Sequence, residues 1–217
     1  MKILQNSFNK YLNKNYFFEK KPTIAVAVSG GPDSMCLIYL LKNWINVNKG
    51  SIVALIIDHQ LRKESEEESY LIKKYLLKNK ISTKIIKINK KLVIKKSMKE
   101  ARENRYEKLI KYCHRKNIFH LFLAHHYNDN IETFLIRKLS GSNFEGLRGM
   151  QYKSVNNCIQ ILRPLLFHTK KEILEFNSNN KIFYLNDPSN LNIKYTRVAI
   201  RNFLNKNKSL HQKIKKD

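Results

Sequence analysis

The chain alternates between short apolar runs and longer segments whose apolar residues recur with helical spacing. Residues 23–28, TIAVAV, are an unbroken run of small and β-branched apolar residues between Pro22 and the turn Ser29-Gly30-Gly31. That is the pattern of a strand buried on both faces of a parallel sheet. Further strands are predicted at 52–58, 83–88 and 118–124, with a short one at 158–162. Helical patterns fill the intervals at about 33–44, 64–79, 97–116 and 128–139, and two more follow at 169–180 and 194–206. Pro32 suits a first helical turn. Such alternation predicts an α/β fold with a parallel sheet, Rossmann-like in plan. Residues 140–157 read as loop, and there is no internal repeat. The 217 residues fit one domain, with a core over about 22–165 and a helical C-terminal segment over about 166–217.

In sheets of this kind ligands bind beyond the carboxyl ends of the strands, and polar chemistry is concentrated there. The first strand ends in Ser29-Gly30-Gly31, the second in Asp58-His59, and the fourth in His125-His126 followed by Asp129. A strand, a glycine turn and a helix start together make an anion site, because free backbone N–H groups and the helix dipole point at one place. His125, Asp129 and Glu132 fall at i, i+4 and i+7, which a helix starting nearby would align on one face. Arg102, Arg105 and Tyr106 share a face in the same way.

Charge and cysteine usage narrow the function classes. The formal net charge is +25, from 42 Lys+Arg against 17 Asp+Glu, which favours a polyanionic partner, RNA foremost. Runs such as KINKKLVIKKSMK are nevertheless ordinary solvated surface. Cys36, Cys113 and Cys158 lie far apart with no CxxC pair, which argues against zinc, an iron–sulfur cluster or a disulfide framework. All three are expected to be small buried hydrophobes. No run approaches the ~20 apolar residues of a membrane span. The first 21 residues carry Asn and Lys throughout their apolar positions, so no signal-peptide core is present and a cytoplasmic protein is expected. Five of the six glycines fall in SGGPDS and in GSNFEGLRGM (141–150), so positions needing positive φ are expected at two places.

SGGPDS lacks both the GK[ST] of the Walker loop and the third glycine of a dinucleotide fingerprint. It resembles the SGGxDS loop of the N-type ATP pyrophosphatases, the PP-loop families, whose fold is adenine nucleotide α-hydrolase-like. With IDHQLRKES, EARENRY, LAHHYNDNIETFL, GLRGM, RPLL and NDPSN in order from residue 25 to about 201, the chain resembles the tRNA(Ile)-lysidine synthases. The departures are Gln60 where glycine is usual, Ser140 and Asn143 in the usual RGxG, and Val198 where asparagine is frequent. Asn143 still tolerates a left-handed backbone.

The resemblance implies ATP-dependent ligation of lysine to C2 of the wobble cytidine in the CAU anticodon of tRNA(Ile), through an adenylated intermediate. It implies ATP bound by Ser29, Gly30, Gly31, Pro32, Asp33 and Ser34, with Asp58, His59 and His125 completing the nucleotide site. Asp33 and Asp129 would hold Mg2+, which suits oxygen ligands better than a transition metal on His125 would. Asp33, Asp129, Arg102 and Arg201 would carry the chemistry. Arg105, Glu132, Arg163 and Arg197 would contact tRNA or lysine. Many relatives add C-terminal tRNA-binding domains, and none is evident here; the last helix, with Lys194, Arg197, Arg201, Lys206 and Lys208, is expected to face phosphates. A homodimer is left open. The rival readings are a PP-loop tRNA thiolase, which would need reactive cysteines, and a catalytically silent basic RNA-binding module.

Overall fold

The computed structural model describes residues 2–58, 64–88, 98–186 and 196–207. Six strands form one sheet: β1 (Thr23–Val28), β2 (Ser51–Asp58), β3 (Ser82–Lys87), β4 (His120–Phe122), β5 (Lys153–Asn156) and β6 (Ile159–Leu162). Their order is β3-β2-β1-β4-β6-β5, parallel throughout except for β5, which runs antiparallel along β6 at one edge. The helices are α1 (Lys2–Asn15), α2 (Pro32–Val47), α3 (Glu64–Lys78), α4 (Met98–Arg115), α5 (Tyr127–Leu139), the short α6 (Phe144–Leu147), α7 (Lys170–Asn179) and α8 (Thr196–Lys206).

Alternation along β1 divides the core. Ile24, Val26 and Val28 face a cluster with Phe8 and Leu12 of α1, Leu37 and Leu41 of α2, Ile72 and Leu76 of α3, and Ile173 of α7. Ala25 faces the opposite layer, with Leu109, Ile110 and Cys113 of α4. A strand covered on both faces has no polar face to show, which is why TIAVAV is uninterrupted. The chain builds outward from β1 through β2 to β3, then returns to β4 on the other side of β1. The crevice beyond the carboxyl ends of β1 and β4 is therefore the topological switch point.

The structure departs from the sequence reading in five places. Helix α1 was not anticipated, although Leu4, Phe8, Tyr11 and Leu12 carry its stripe. Its polar residues dock it onto α2, through Gln5 Nε2 to the Leu40 carbonyl (3.2 Å) and Trp44 Nε1 to Asn13 Oδ1 (3.0 Å). Residues 140–157 hold α6 and β5 rather than loop alone. Asn143 is extended (φ −67°, ψ 174°) and caps α6 through its side chain, so the left-handed turns there fall on Gly141 and Gly149. Positive φ is not confined to two glycine-rich places: Lys21, Lys49, Lys80, Asn117, Asn157, Cys158 and Lys181 adopt it as well. Cys36 and Cys113 are buried as expected, but Cys158 is exposed in the β5–β6 turn.

Candidate functional site

The β1–α2 loop owes its shape to two residues. Gly30 has φ +83°, and a Cβ there would lie 2.9 Å from Ile72 Cγ1, so both backbone and space demand glycine. Ser34 is buried; its hydroxyl accepts the Ser29 N–H (3.2 Å) and donates to the Gly31 carbonyl (3.0 Å), closing the loop on itself. Gly31 caps α2 without any side-chain hydrogen bond. The first-turn N–H groups are thus left to face an anion.

Three helix starts converge on this loop. Asp33, in the first turn of α2, accepts a 2.5 Å hydrogen bond from Lys170 Nζ at the first position of α7. His126 caps α5: its Nδ1 accepts the Asp129 N–H (3.3 Å), and its own N–H donates to Asp129 Oδ2 (3.1 Å). With Nδ1 accepting, the neutral ring carries its proton on Nε2, which lies 3.7 Å from Asp33 Oδ1 and 3.5 Å from Asp129 Oδ2. Helix α7 is anchored by Asn128 Oδ1, which accepts the Lys170 N–H (2.9 Å), and by Asn177 Nδ2, which donates to the Pro32 carbonyl (2.8 Å).

The second half of the site is a group of arginines around His125. Arg102 Nη2 lies 3.4 Å from His125 Nε2 and its guanidinium sits 5.6 Å from the Tyr106 ring centroid. Arg163 Nη1 donates to the Gln151 carbonyl (2.9 Å) and to Ser154 Oγ (3.1 Å), while its buried Nε has no partner among the described residues. Arg105 is pushed below the usual arginine range by burial, with the guanidiniums of Arg102 and Arg197 adding repulsion. Burial first, then the charges of Arg102, Arg163, Arg105 and Arg197, push the His125 imidazole down to about 3. This histidine is neutral at physiological pH, and the four arginines that act on it bring only positive charge to its surroundings. Guanidiniums grouped in this way suit a phosphate or carboxylate.

Arg201 joins the two halves. Its guanidinium grips the buried Glu132 carboxylate by two bonds, Nε to Oε1 (2.8 Å) and Nη2 to Oε2 (3.2 Å), and is held above the usual arginine range by that contact and by the nearby charges of Asp129 and Asp33. Arg197 Nη2 donates to Thr133 Oγ1 (3.3 Å). Helix α8 therefore ties these two arginines to side chains of α5, with Ile200 and Leu204 packed on the same helix, while the Arg201 side chain stays part-exposed. Lys206 is exposed, and Lys194 and Lys208 lie outside the described residues.

Other expectations fare unevenly. His125 precedes α5 and faces the arginines, so it does not share a helical face with Asp129 and Glu132; His126 beside it stands at the two carboxylates instead. A transition-metal site on His125 is excluded by that arrangement, and no cluster of three or more His, Cys, Asp or Glu ligands exists among the described residues. Asp58 is buried at the end of β2 and accepts a hydrogen bond from Ser65 Oγ (2.5 Å), whereas His59 lies outside the described residues, as do Gln60 and most of NDPSN. A groove of about 700 Å³ runs along α4 past Tyr106, Ile110 and His114 to Asn156, and shares Arg102 and Tyr106 with the site.

Lys170 and Asn177 were missed, and His126 was noted at the strand end but given no role. Residues 169–172, TKKE, form a capping box that marks the start of α7. A lysine in a first helical turn opposes the dipole, so Lys170 carried a signal that an anion shares its position.

The state of His125 has a testable consequence. The unfolded chain binds a proton below about 6.5 that the folded site refuses until about 3. This group's contribution to stability is therefore full above the upper value and is lost as pH falls through that window. Urea midpoints should fall more steeply with acidification in the native protein than in His125→Gln. Parallel slopes would show that the imidazole is not held neutral.

The PP-loop domain family model matches residues 1–208. The tRNA(Ile)-lysidine synthase of Wolbachia pipientis wMel is 37% identical over 203 residues, 93% of this chain and 47% of that protein. The enzyme of the same name from Orientia tsutsugamushi (strain Boryong) is 37% identical over 187 residues, 86% and 42% of the two lengths. The chain thus spans about half the length of the curated relatives it matches. Among solved structures, the U34-tRNA thiolase of Methanococcus maripaludis superposes with a TM-score of 0.75 at 16% identity, covering 93% of this chain and 73% of that one. NMN synthetase from Francisella tularensis gives a TM-score of 0.54 at 15% identity, covering 83% and 71%. These likenesses show a shared fold. By the match of its family model over most of its length, the chain belongs to the PP-loop domain family.

Proposed function

We propose that this protein is a tRNA(Ile)-lysidine synthase acting in the cytoplasm. The cytidine O2 attacks the α-phosphorus of ATP, and the bond to the β-phosphate breaks and releases pyrophosphate. The ε-amine of lysine then adds at C2, loses a proton, and AMP leaves with O2. O2 alone is a poor leaving group, and adenylation makes it one that an amine can expel. The observation that carries this reading is the pairing of two unlike groups near one switch point: the loop 29–34 with Asp33 and Asp129, and the arginine cluster around His125. The first suits a polyphosphate, the second a carboxylate or an RNA phosphate. The names of the curated relatives support it.

Within this reading, Ser29 to Ser34 hold the phosphates, and Asp58 at the end of β2 edges the nucleotide. Arg102, Arg105, Arg163, Arg197 and Arg201 steer tRNA and lysine, with Glu132 fixing Arg201. Mg2+ fits the site: Asp33 and Asp129 are oxygen donors facing one imidazole edge, and this ion is ordinarily held by one or two carboxylates plus phosphates. Bound there, it would neutralise charge on the phosphates. Two of the three sulfurs disfavour the thiolase alternative by burial, and the exposed Cys158 lies at the amino-terminal end of β6, away from the carboxyl-end crevice. Burial pushes the Cys113 thiol up to about 12 and raises Cys36 further still, so neither supplies a thiolate.

Mass spectrometry of nucleosides from tRNA(Ile) incubated with the protein, ATP and lysine tests the proposal. Lysidine at the wobble position is expected. A thiolated base, or unmodified cytidine with tRNA bound, would overturn it.

A further inference from the structure

We infer that Lys170 binds the polyphosphate of the nucleotide, exchanging its contact with Asp33 for the outer phosphate oxygens. The inference rests on the reading of loop 29–34 as the ATP site and adds a residue to it. Its ground is the juxtaposition of Lys170 Nζ with Asp33 Oδ1 at the start of α2. A lysine in the first turn of α7 sits at the positive end of that helix, and it faces the uncapped positive end of α2 as well. One carboxylate balances these charges in the free protein. A polyphosphate balances them better, because its oxygens can meet the N–H groups of the loop and the ammonium together.

Position is fixed as well as charge. The Asn128 contact sets the first turn of α7, and Asn177 ties that helix to the carbonyl of Pro32 in the first turn of α2. Lys170 thus projects from a rigid frame shared with the loop. When the bond from the α-phosphorus to the β-phosphate breaks, its electron pair leaves with pyrophosphate, and the ammonium stands where that charge develops. Lys171 supplies an internal control, since it carries the same charge on the same helix, is 86% exposed, and pairs with Glu175 one turn on.

Calorimetric titration of ATP, pyrophosphate and AMP, each with Mg2+, into native protein, Lys170→Met, Lys170→Arg and Lys171→Met tests this. Loss of one charge-assisted hydrogen bond should weaken ATP and pyrophosphate by roughly 10- to 100-fold in Lys170→Met. AMP binding should be unchanged in that variant. Lys170→Arg should recover most of the loss, and Lys171→Met should match the native protein throughout. Native-like ATP affinity in Lys170→Met, or an equal loss for AMP, would overturn the assignment while leaving the ATP site standing. Native protein that binds neither ATP nor pyrophosphate would overturn the nucleotide reading and the assignment with it.

Discussion

Asp33→Asn is expected to lower ATP-dependent modification of tRNA by about 100- to 1,000-fold, the usual cost of removing one charged group that meets a developing charge. Under the proposed function, affinity for tRNA should stay within about twofold, because dispersed phosphate contacts would supply it. The fold should survive. An acid in a first helical turn contributes about 0.3–1 kcal/mol, and a partly exposed ion pair such as Asp33–Lys170 about 0–1 kcal/mol. Their loss is small against a typical stability of roughly 5–15 kcal/mol. Asparagine also keeps an oxygen that can accept from Lys170, so what the substitution removes is the charge. Single-turnover adenylation, filter binding and a thermal melt on the same sample separate these quantities. Native turnover in the variant would remove Asp33 from the metal and phosphate site.

Much of this site could be read from the chain because it sits where strands end. The runs at 23–28 and 52–58 lie on or within one residue of β1 and β2, since buried parallel strands write themselves as continuous apolar segments. The loop after β1 was legible for the same reason: Gly30 stands where backbone and packing both refuse a side chain. What was not legible depends on partners distant in sequence. Lys170 and Asp33 are 137 positions apart, and Glu132 and Arg201 are 69 apart. No local periodicity encodes such pairs. The misreading of His125 has a local cause. Spacing of i, i+4, i+7 aligns side chains only inside a helix, and this helix starts two residues later, at Tyr127, with His126 as its cap. The neighbouring histidine, extended in backbone (φ −117°, ψ 176°), is thereby turned toward the carboxylates. Left-handed positions were underestimated because glycine was taken as their marker, whereas this glycine-poor chain places lysine and asparagine in several of them.

Asp129 does two jobs, and two substitutions separate them. Its Oδ2 accepts the His126 N–H in the capping box of α5, and its carboxylate lies at the edge of His126 Nε2 across from Asp33. Asp129→Asn keeps an acceptor for the cap but loses the charge. It should melt within a degree or two of the native protein while its adenylation rate falls about 100-fold or more. Asp129→Ala loses both, so the same rate loss should come with about 1 kcal/mol of destabilisation, the usual worth of a helix cap. Lost packing adds little, because the side chain is partly exposed at the helix start. Both variants should keep the circular dichroism of the native fold. If Asp129→Asn adenylates at the native rate and only Asp129→Ala is impaired, the carboxylate serves α5 alone. The site would then rest on Asp33 and Lys170, without a second acid at the phosphates.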